Sequence, residues 1–180
     1  MAKHAPLDAT GMKRALALLD DDLTTAARLI IGGGAAMVLA YNHPLATQDI
    51  DAFAAKGGLR ISDLDSSAKK IAKKLNIEPD WLNSHFDTFT AVLPSDYASR
   101  LRTVFSGKHL TVDALGPEDL LIMKCFAGRD KDLPHARALL HKLSDTAVVD
   151  RQLGLLVERR YPGAEKAADF FDDLRDREGM

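Results

Sequence analysis

Two aspartates with one residue between them, Asp49 and Asp51, stand fifteen residues beyond the glycine run Gly32-Gly33-Gly34. On an extended strand, residues i and i+2 point to the same face, so the two carboxylates share one small volume. Their repulsion is best relieved by a divalent cation, and a hard ion such as Mg2+ takes carboxylate oxygens. Glycines between a strand and a helix let backbone N–H groups approach a phosphate closely, and the helix N-terminus adds partial positive charge. Each feature alone has a structural explanation: a tight turn for the glycines, a solvated strand face or a helix cap for the acids. Together they provide the oxyanion cradle and the metal clamp that metal-assisted phosphoryl chemistry needs.

Other phosphate motifs fit these residues poorly. A P-loop requires Gly-Lys-Ser/Thr at the end of its glycine-rich turn, and no lysine follows Gly34. A dinucleotide fingerprint requires a third small residue where Met37 stands, and a ribose contact has no need of the Asp-x-Asp pair. Lys124 lies three and four residues after Leu121 and Leu120, which places it beside an apolar helical stripe. Such a lysine either snorkels to the surface or meets an anion, and a phosphate or Asp132 could supply it. Asp132 could equally cap the helix beginning near Pro134. The neighbouring Cys125 reads as a packed thiol and not a nucleophile.

The elements that must position these residues follow from hydrophobic spacing. Met12, Ala15, Leu16 and Leu19 recur at helical spacing; Arg28 to Ile31 reads as a buried strand that stops at the glycines; Ala35 to Tyr41 is a helix ended by Asn42-His43-Pro44. Asp49 to Phe53 alternates acidic and apolar residues, the pattern of a strand with one wet and one buried face. From Ser66, the set Ala68, Ile71, Ala72 and Leu75 predicts a helix with Lys69, Lys70, Lys73 and Lys74 on its other face. Those lysines are either a solvated face or a grip on an RNA backbone. Thr88 to Leu93 and Leu110 to Leu115 are expected strands. Pro117-Glu118-Asp119 opens a helix, Pro134 opens another, and helical material continues through Leu153–Val157 and Ala164–Arg175.

The chain has 180 residues, 46% hydrophobic and 28% charged, with a formal net charge of −2, which excludes a disordered chain and a wholly basic nucleic-acid glove. One cysteine forms no intramolecular disulfide, and a structural zinc site is not expected. The first 22 residues hold no continuous apolar h-region, so no secretory signal is expected and a reducing cytoplasm fits. Leu29 to Gln48 lacks formal charge over 20 residues, but its glycines and Asn42-His43-Pro44 break it, so no membrane span is expected.

Ile30-Ile31-Gly32-Gly33-Gly34-Ala35-Ala36-Met37 and Thr47-Gln48-Asp49-Ile50-Asp51 resemble the active-site signature of the nucleotidyltransferase superfamily with the polymerase-beta-like fold. Trp81-Leu82-Asn83, Pro117 to Lys124 and Ala127-Gly128-Arg129-Asp130-Lys131-Asp132 resemble the downstream motifs of a bacterial branch related to AbiEii-type toxin nucleotidyltransferases. The order of elements itself suggests an α+β fold, a small mixed sheet backed by helices with a helical C-terminal half, and the resemblance agrees with it. It implies a core over residues 1–116 and a helical region over 117–180 packed on it, or one domain over 1–180. Asp49 and Asp51 would bind Mg2+ or Mn2+ and the triphosphate of an NTP, with Asp113 as a third metal ligand. Gly32, Gly33 and Gly34 would cradle phosphate, Lys124 would act at the nucleotide or substrate, and Lys131 and Asp132 would contact the nucleotide. Two departures stand out: Gly34 occupies the place of a Ser or Thr, and His135 that of an acid. The implied activity is transfer of an NMP to an acceptor hydroxyl on RNA, such as tRNA, or on protein, with a cognate toxin or antitoxin as a partner. The alternative is a non-catalytic nucleotide-binding or partner-neutralising module of the same fold.

Overall fold

A computed structural model describes residues 4–44 and 46–180. The chain divides into two compact units, one of Met1–Thr88 with Leu101–Leu115 and one of Phe89–Arg100 with Gly116–Met180. The first holds α1 (Ala9–Asp22), β1 (Ala27–Ile31), α2 (Gly33–Tyr41), β2 (Ile50–Ala54), α3 (Ile61–Leu75), β3 (Leu82–Asn83), β4 (Arg102–Ser106) and β5 (Leu110–Ala114). The second holds α4 (Pro117–Ala127), α5 (Leu133–Leu140), α6 (Ala147–Glu158) and α7 (Ala164–Glu178). The architecture is therefore a small five-stranded mixed sheet with helices and a helical C-terminal half.

The sheet order is β3-β2-β1-β5-β4. β1 pairs antiparallel with β2 and parallel with β5, β2 pairs parallel with β3, and β4 pairs antiparallel with β5. Because side chains alternate along a strand, Ala27, Leu29 and Ile31 share a face with Leu110, Val112 and Ala114, and all six are buried. Helices α1, α2 and α3 pack on the sheet, and each fully buried Leu or Ile there contributes about 1.5–3 kcal/mol. The other face carries Arg28, Ile30, Asp51, Phe53, Thr111 and Asp113.

Local chemistry sets the helix ends. The Asp8 carboxylate accepts from Gly11 N at 2.7 Å at the start of α1, and Arg60 with Asp63 forms a reciprocal cap at α3. That cap starts α3 five residues before Ser66, where its apolar repeat becomes regular. Trp81 is fully buried and its Nε1 donates to Ala68 O at 2.9 Å, fastening α3 to the start of β3. In the second unit, the buried residues Leu120, Leu121 and Ile122 of α4, Ala136, Leu139 and Leu140 of α5, Leu153 and Leu156 of α6, and Phe171 and Leu174 of α7 form the core. Arg100 anchors α4 by a two-pronged ion pair to the buried Asp119, at 3.0 and 2.8 Å.

Thr88 to Leu93, expected as a strand, is not one: Asp87–Val92 is a 3-10 helix. Leu93 N donates to Thr90 O at 3.2 Å, so the segment satisfies backbone groups locally before Pro94. Among the described residues, no helix is long and apolar enough to cross a membrane.

Candidate active site

Gly32 ends β1 and caps α2, and its N–H donates to Asp51 O at 3.1 Å, which ties the glycine turn to the start of β2. Gly33 has a φ of +55°, and a Cβ there would lie 2.7 Å from Asp51 Oδ2. Glycine is thus required twice, by backbone conformation and by the approach of a carboxylate to the first turn of α2. A Cβ at Gly32 would sit 2.9 Å from Phe86 Cε2, and the Phe86 ring in turn makes an edge contact with Phe53 at 5.6 Å. The aromatic pair therefore packs against the same turn.

Asp49 precedes β2 in a segment clamped at both ends. Leu7 and Thr47 form a two-way backbone bridge at 2.7 and 3.0 Å, and Ile50 N donates to Trp81 O at 2.5 Å. Thr47 Oγ1 donates to Asp49 Oδ1 at 3.1 Å, and Asn83 Nδ2 donates to Asp49 Oδ2 at 3.2 Å. Asn83 is buried and lies opposite Asp51 in the β2–β3 ladder; its Oδ1 accepts from His85 N at 2.9 Å. One amide side chain thereby sets both the Asp49 carboxylate and the backbone of His85.

Asp49, Asp51 and His85 each place a ligand atom so that all three lie within 4.8 Å of one another. The two acids are half-buried and the imidazole is exposed. Two carboxylates suit Mg2+ or Mn2+, and the imidazole nitrogen raises the preference for a borderline ion. The donor set therefore fits a divalent cation, and three protein donors leave positions for phosphate oxygens on a six-coordinate ion. The N–H groups of the first turn of α2, beside Asp51, present positive partial charge.

His85 has no counterpart among the expected site residues. A single histidine beyond a two-residue strand gives no sequence signal; its place depends on β3 pairing with β2. Asp113, expected as the third metal ligand, is engaged elsewhere. Its buried carboxylate accepts from Arg28 Nε at 2.7 Å and Thr103 Oγ1 at 2.6 Å. The register pairs Asp113 with Ile30 and Ile30 with Phe53, so Asp113 shares the face of Asp51 but lies two strands and one pleat away. At ~4.8 Å per strand that is about 10 Å across the sheet alone, too far for a shared ion.

Lys124, Lys131 and Asp132 belong to the second unit. Lys124 is buried and its Nζ meets Asp132 Oδ1 at 2.5 Å, while Arg129 Nε meets Asp132 Oδ2 at 2.5 Å. Burial raises the Asp132 pKa, but the hydrogen bonds and charges of Arg129 and Lys124 outweigh it and hold the carboxyl below the ordinary range. Asp132 occupies the cap position of α5 without a side-chain capping bond, because both its oxygens serve the cations. Lys131 is exposed. Burial pushes the Cys125 thiol up to about 12, which keeps it protonated and inert. On α3, Lys69 pairs with Asp65 at 2.7 Å and Lys70 with Asp22 at 3.7 Å, as a solvated helix face does.

No curated protein and no solved structure matches the chain. The family model for DUF6036, described as a nucleotidyltransferase of unknown function, matches residues 11–153. That span contains the sheet, the glycine turn, the Asp49–Asp51–His85 cluster and the Lys124–Asp132 pair. With most of its length inside the match, the chain belongs to the DUF6036 family of nucleotidyltransferases of unknown function.

Proposed function

We propose that the chain is a divalent-metal-dependent nucleotidyltransferase that moves an NMP from an NTP to an acceptor hydroxyl on RNA or protein. The observation that carries this reading is the convergence of Asp49, Asp51 and His85 against the Gly33 turn. Asp49 and Asp51 would hold the ion through carboxylate oxygens and His85 through an imidazole nitrogen. A bound divalent ion supplies Lewis acidity, neutralising phosphate charge and lowering the acceptor hydroxyl pKa. The amides of Gly33 and Gly34 take up further phosphate charge, with Gly32 shaping the turn. The acceptor oxygen bonds to the α-phosphorus, the bond to the bridging oxygen breaks, pyrophosphate leaves with that electron pair, and the hydroxyl proton passes to water. Asn83 and Thr47 keep the Asp49 carboxylate oriented throughout. Lys124 and Asp132 close on each other, and no step of the transfer is assigned to them.

A branch related to AbiEii-type enzymes, a cytoplasmic setting and a cognate toxin or antitoxin partner belong to the same proposal. Their support is the resemblance of Trp81-Leu82-Asn83 and the segment from Pro117 to Asp132. A second reading, a nucleotide-binding module without chemistry, is favoured by the engagement of Asp113 with Arg28 and Thr103, which leaves the carboxylates at two. The test is transfer of α-phosphate label from each of the four NTPs to bulk cellular RNA and protein, with Mg2+ or Mn2+. Label that appears in one pool and disappears with chelator supports the enzyme; nucleotide binding without label in either pool supports the module.

A further inference from the structure

The end of the sheet remote from Asp51 carries cations that nucleotidyl transfer at Asp49 and Asp51 does not use. The turn Lys56-Gly57-Gly58, which leaves β2, and the turn Gly107-Lys108-His109, which joins β4 to β5, meet there beside Arg28 and Thr111 around a cavity of about 420 Å3. Both turns are pinned to β1: Ala27 N donates to His109 O at 2.7 Å, and Ala55 N donates to Arg28 O at 2.9 Å. The buried Asp20 carboxylate accepts from the N–H groups of Lys108, His109 and Leu110 at 2.9, 2.7 and 2.6 Å. It fixes the second turn so closely that a Cβ at Gly107 would collide with it. Gly57, at a φ of +81°, gives the first turn its left-handed bend.

Part of the charge at this cavity is uncommitted. Arg28 is 58% exposed and gives only its Nε to Asp113. Lys56 and Lys108 are exposed, and among the described residues neither has an ion-pair partner. The nearby acids, Asp20 and Asp113, are occupied by N–H donors of the protein. In a chain of net charge −2, Arg28, Lys56 and Lys108 outnumber the Asp20 and Asp113 carboxylates at this concavity and leave a local positive excess. Among the described residues no Phe, Tyr or Trp lines the cavity, so it offers phosphate recognition without a platform for base stacking.

Its placement relates it to the metal ligands. Arg28 pairs with Thr111, and Arg28 and Asp51 lie on the same sheet face. From Ala55, beside Arg28, to Asp51 is four residues of strand, about 13 Å at ~3.3 Å each. A nucleic-acid strand of a few nucleotides covers that distance.

The geometry points to a phosphate site at Arg28, Lys56 and Lys108 that holds the backbone of an acceptor RNA strand whose end lies at Asp49 and Asp51. The assignment of the strand's end rests on the transfer reading; the binding of the strand does not. The experiment is fluorescence anisotropy of a labelled single-stranded 12-nucleotide RNA, an arbitrary probe of roughly the length of a few such sites, with the full chain in chelator at several salt concentrations. The parent is compared with a Lys56→Glu/Lys108→Glu variant and, as a charge-matched control, Lys73→Glu/Lys74→Glu on α3, with thermal melts to verify folding. The site predicts that the cavity variant weakens binding about tenfold or more and lowers the salt slope by about two, while the α3 variant stays within about twofold of the parent. Equal losses in both variants, or no RNA binding by the parent, overturn it. Saturation by AMP or inorganic phosphate without RNA binding overturns the strand and leaves a small-anion pocket. Transfer to protein without RNA binding refutes this inference alone, and RNA binding without transfer to any acceptor refutes the transfer reading alone.

Discussion

Replacing Gly33 by alanine tests the geometry of the candidate active site with one added carbon. The φ of +55° places the residue in the left-handed region, which costs an L side chain roughly 1–2 kcal/mol, partly offset by about 0.4–1 kcal/mol from a stiffer unfolded chain. The net loss of stability is therefore about 1 kcal/mol, readable by urea denaturation. The second effect is specific to the site. The new Cβ would lie 2.7 Å from Asp51 Oδ2, so the carboxylate has to retreat by several tenths of an ångström. Ligand constellations tolerate about 0.5 Å, and displacing a ligand from one lowers metal affinity on the order of ten- to a hundredfold. Gly57→Ala is the control: its φ of +81° imposes a similar backbone cost, and among the described residues nothing beyond its chain neighbours lies within 4 Å of its Cβ. Titration with Mn2+, followed by the electron paramagnetic resonance signal of free ion, should show weakened binding in Gly33→Ala and parent-like binding in Gly57→Ala. Equal Mn2+ affinity in the two variants refutes the placement of Asp51 against the turn.

Three further outcomes follow from the same contacts. Asn83→Ala frees both the Asp49 carboxylate and the His85 backbone, so Mn2+ affinity should fall about ten- to a hundredfold, measured by calorimetry, with the strand core intact. His85→Ala should weaken Mn2+ on the order of tenfold while changing Mg2+ little, and His85→Asp should tighten Mg2+; unchanged Mn2+ affinity in His85→Ala would remove the imidazole from the ligand set. The amides of His109 and Lys108 hold the Asp20 carboxyl below its ordinary value of 3.8. Its stabilising effect is therefore present above the unfolded pKa and is lost as pH falls through the lower folded value. The stability gap between the parent and Asp20→Asn should be full at neutral pH and close in strong acid; a gap independent of pH contradicts this.

The residues that carry local patterns were legible in the sequence. Asp49 to Phe53 shows its strand by alternation, and the glycines show the turn because few other residues serve between a buried strand and a helix. Strand β5 and the proline-opened helices α4 and α5 follow from composition and punctuation. Hidden elements are those without a period. Leu82–Asn83 is too short to alternate, and Arg102–Ser106 begins on an exposed arginine and carries a register shift between Thr103 and Phe105. Thr88 to Leu93 has strand-like residue types, but its backbone closes on itself in 3-10 turns before Pro94. His85, the third member of the candidate cluster, was hidden for a related reason. Asp113 lies on the expected strand and face, yet strand order decides proximity: β1 separates β2 from β5, and short β3 brings Asn83 and His85 to Asp49 instead. Lys124 next to an apolar stripe pointed to a buried anion, and Asp132 supplies it.

Metal-dependent nucleotidyl transfer at Asp49 and Asp51 is decided by α-phosphate label transfer in the parent, Asp49→Asn and Asp51→Asn, each verified as folded by its melting curve. The parent should label one acceptor pool in a Mg2+- or Mn2+-dependent way, and both variants should stay at background. Undiminished labelling in the two variants would contradict it.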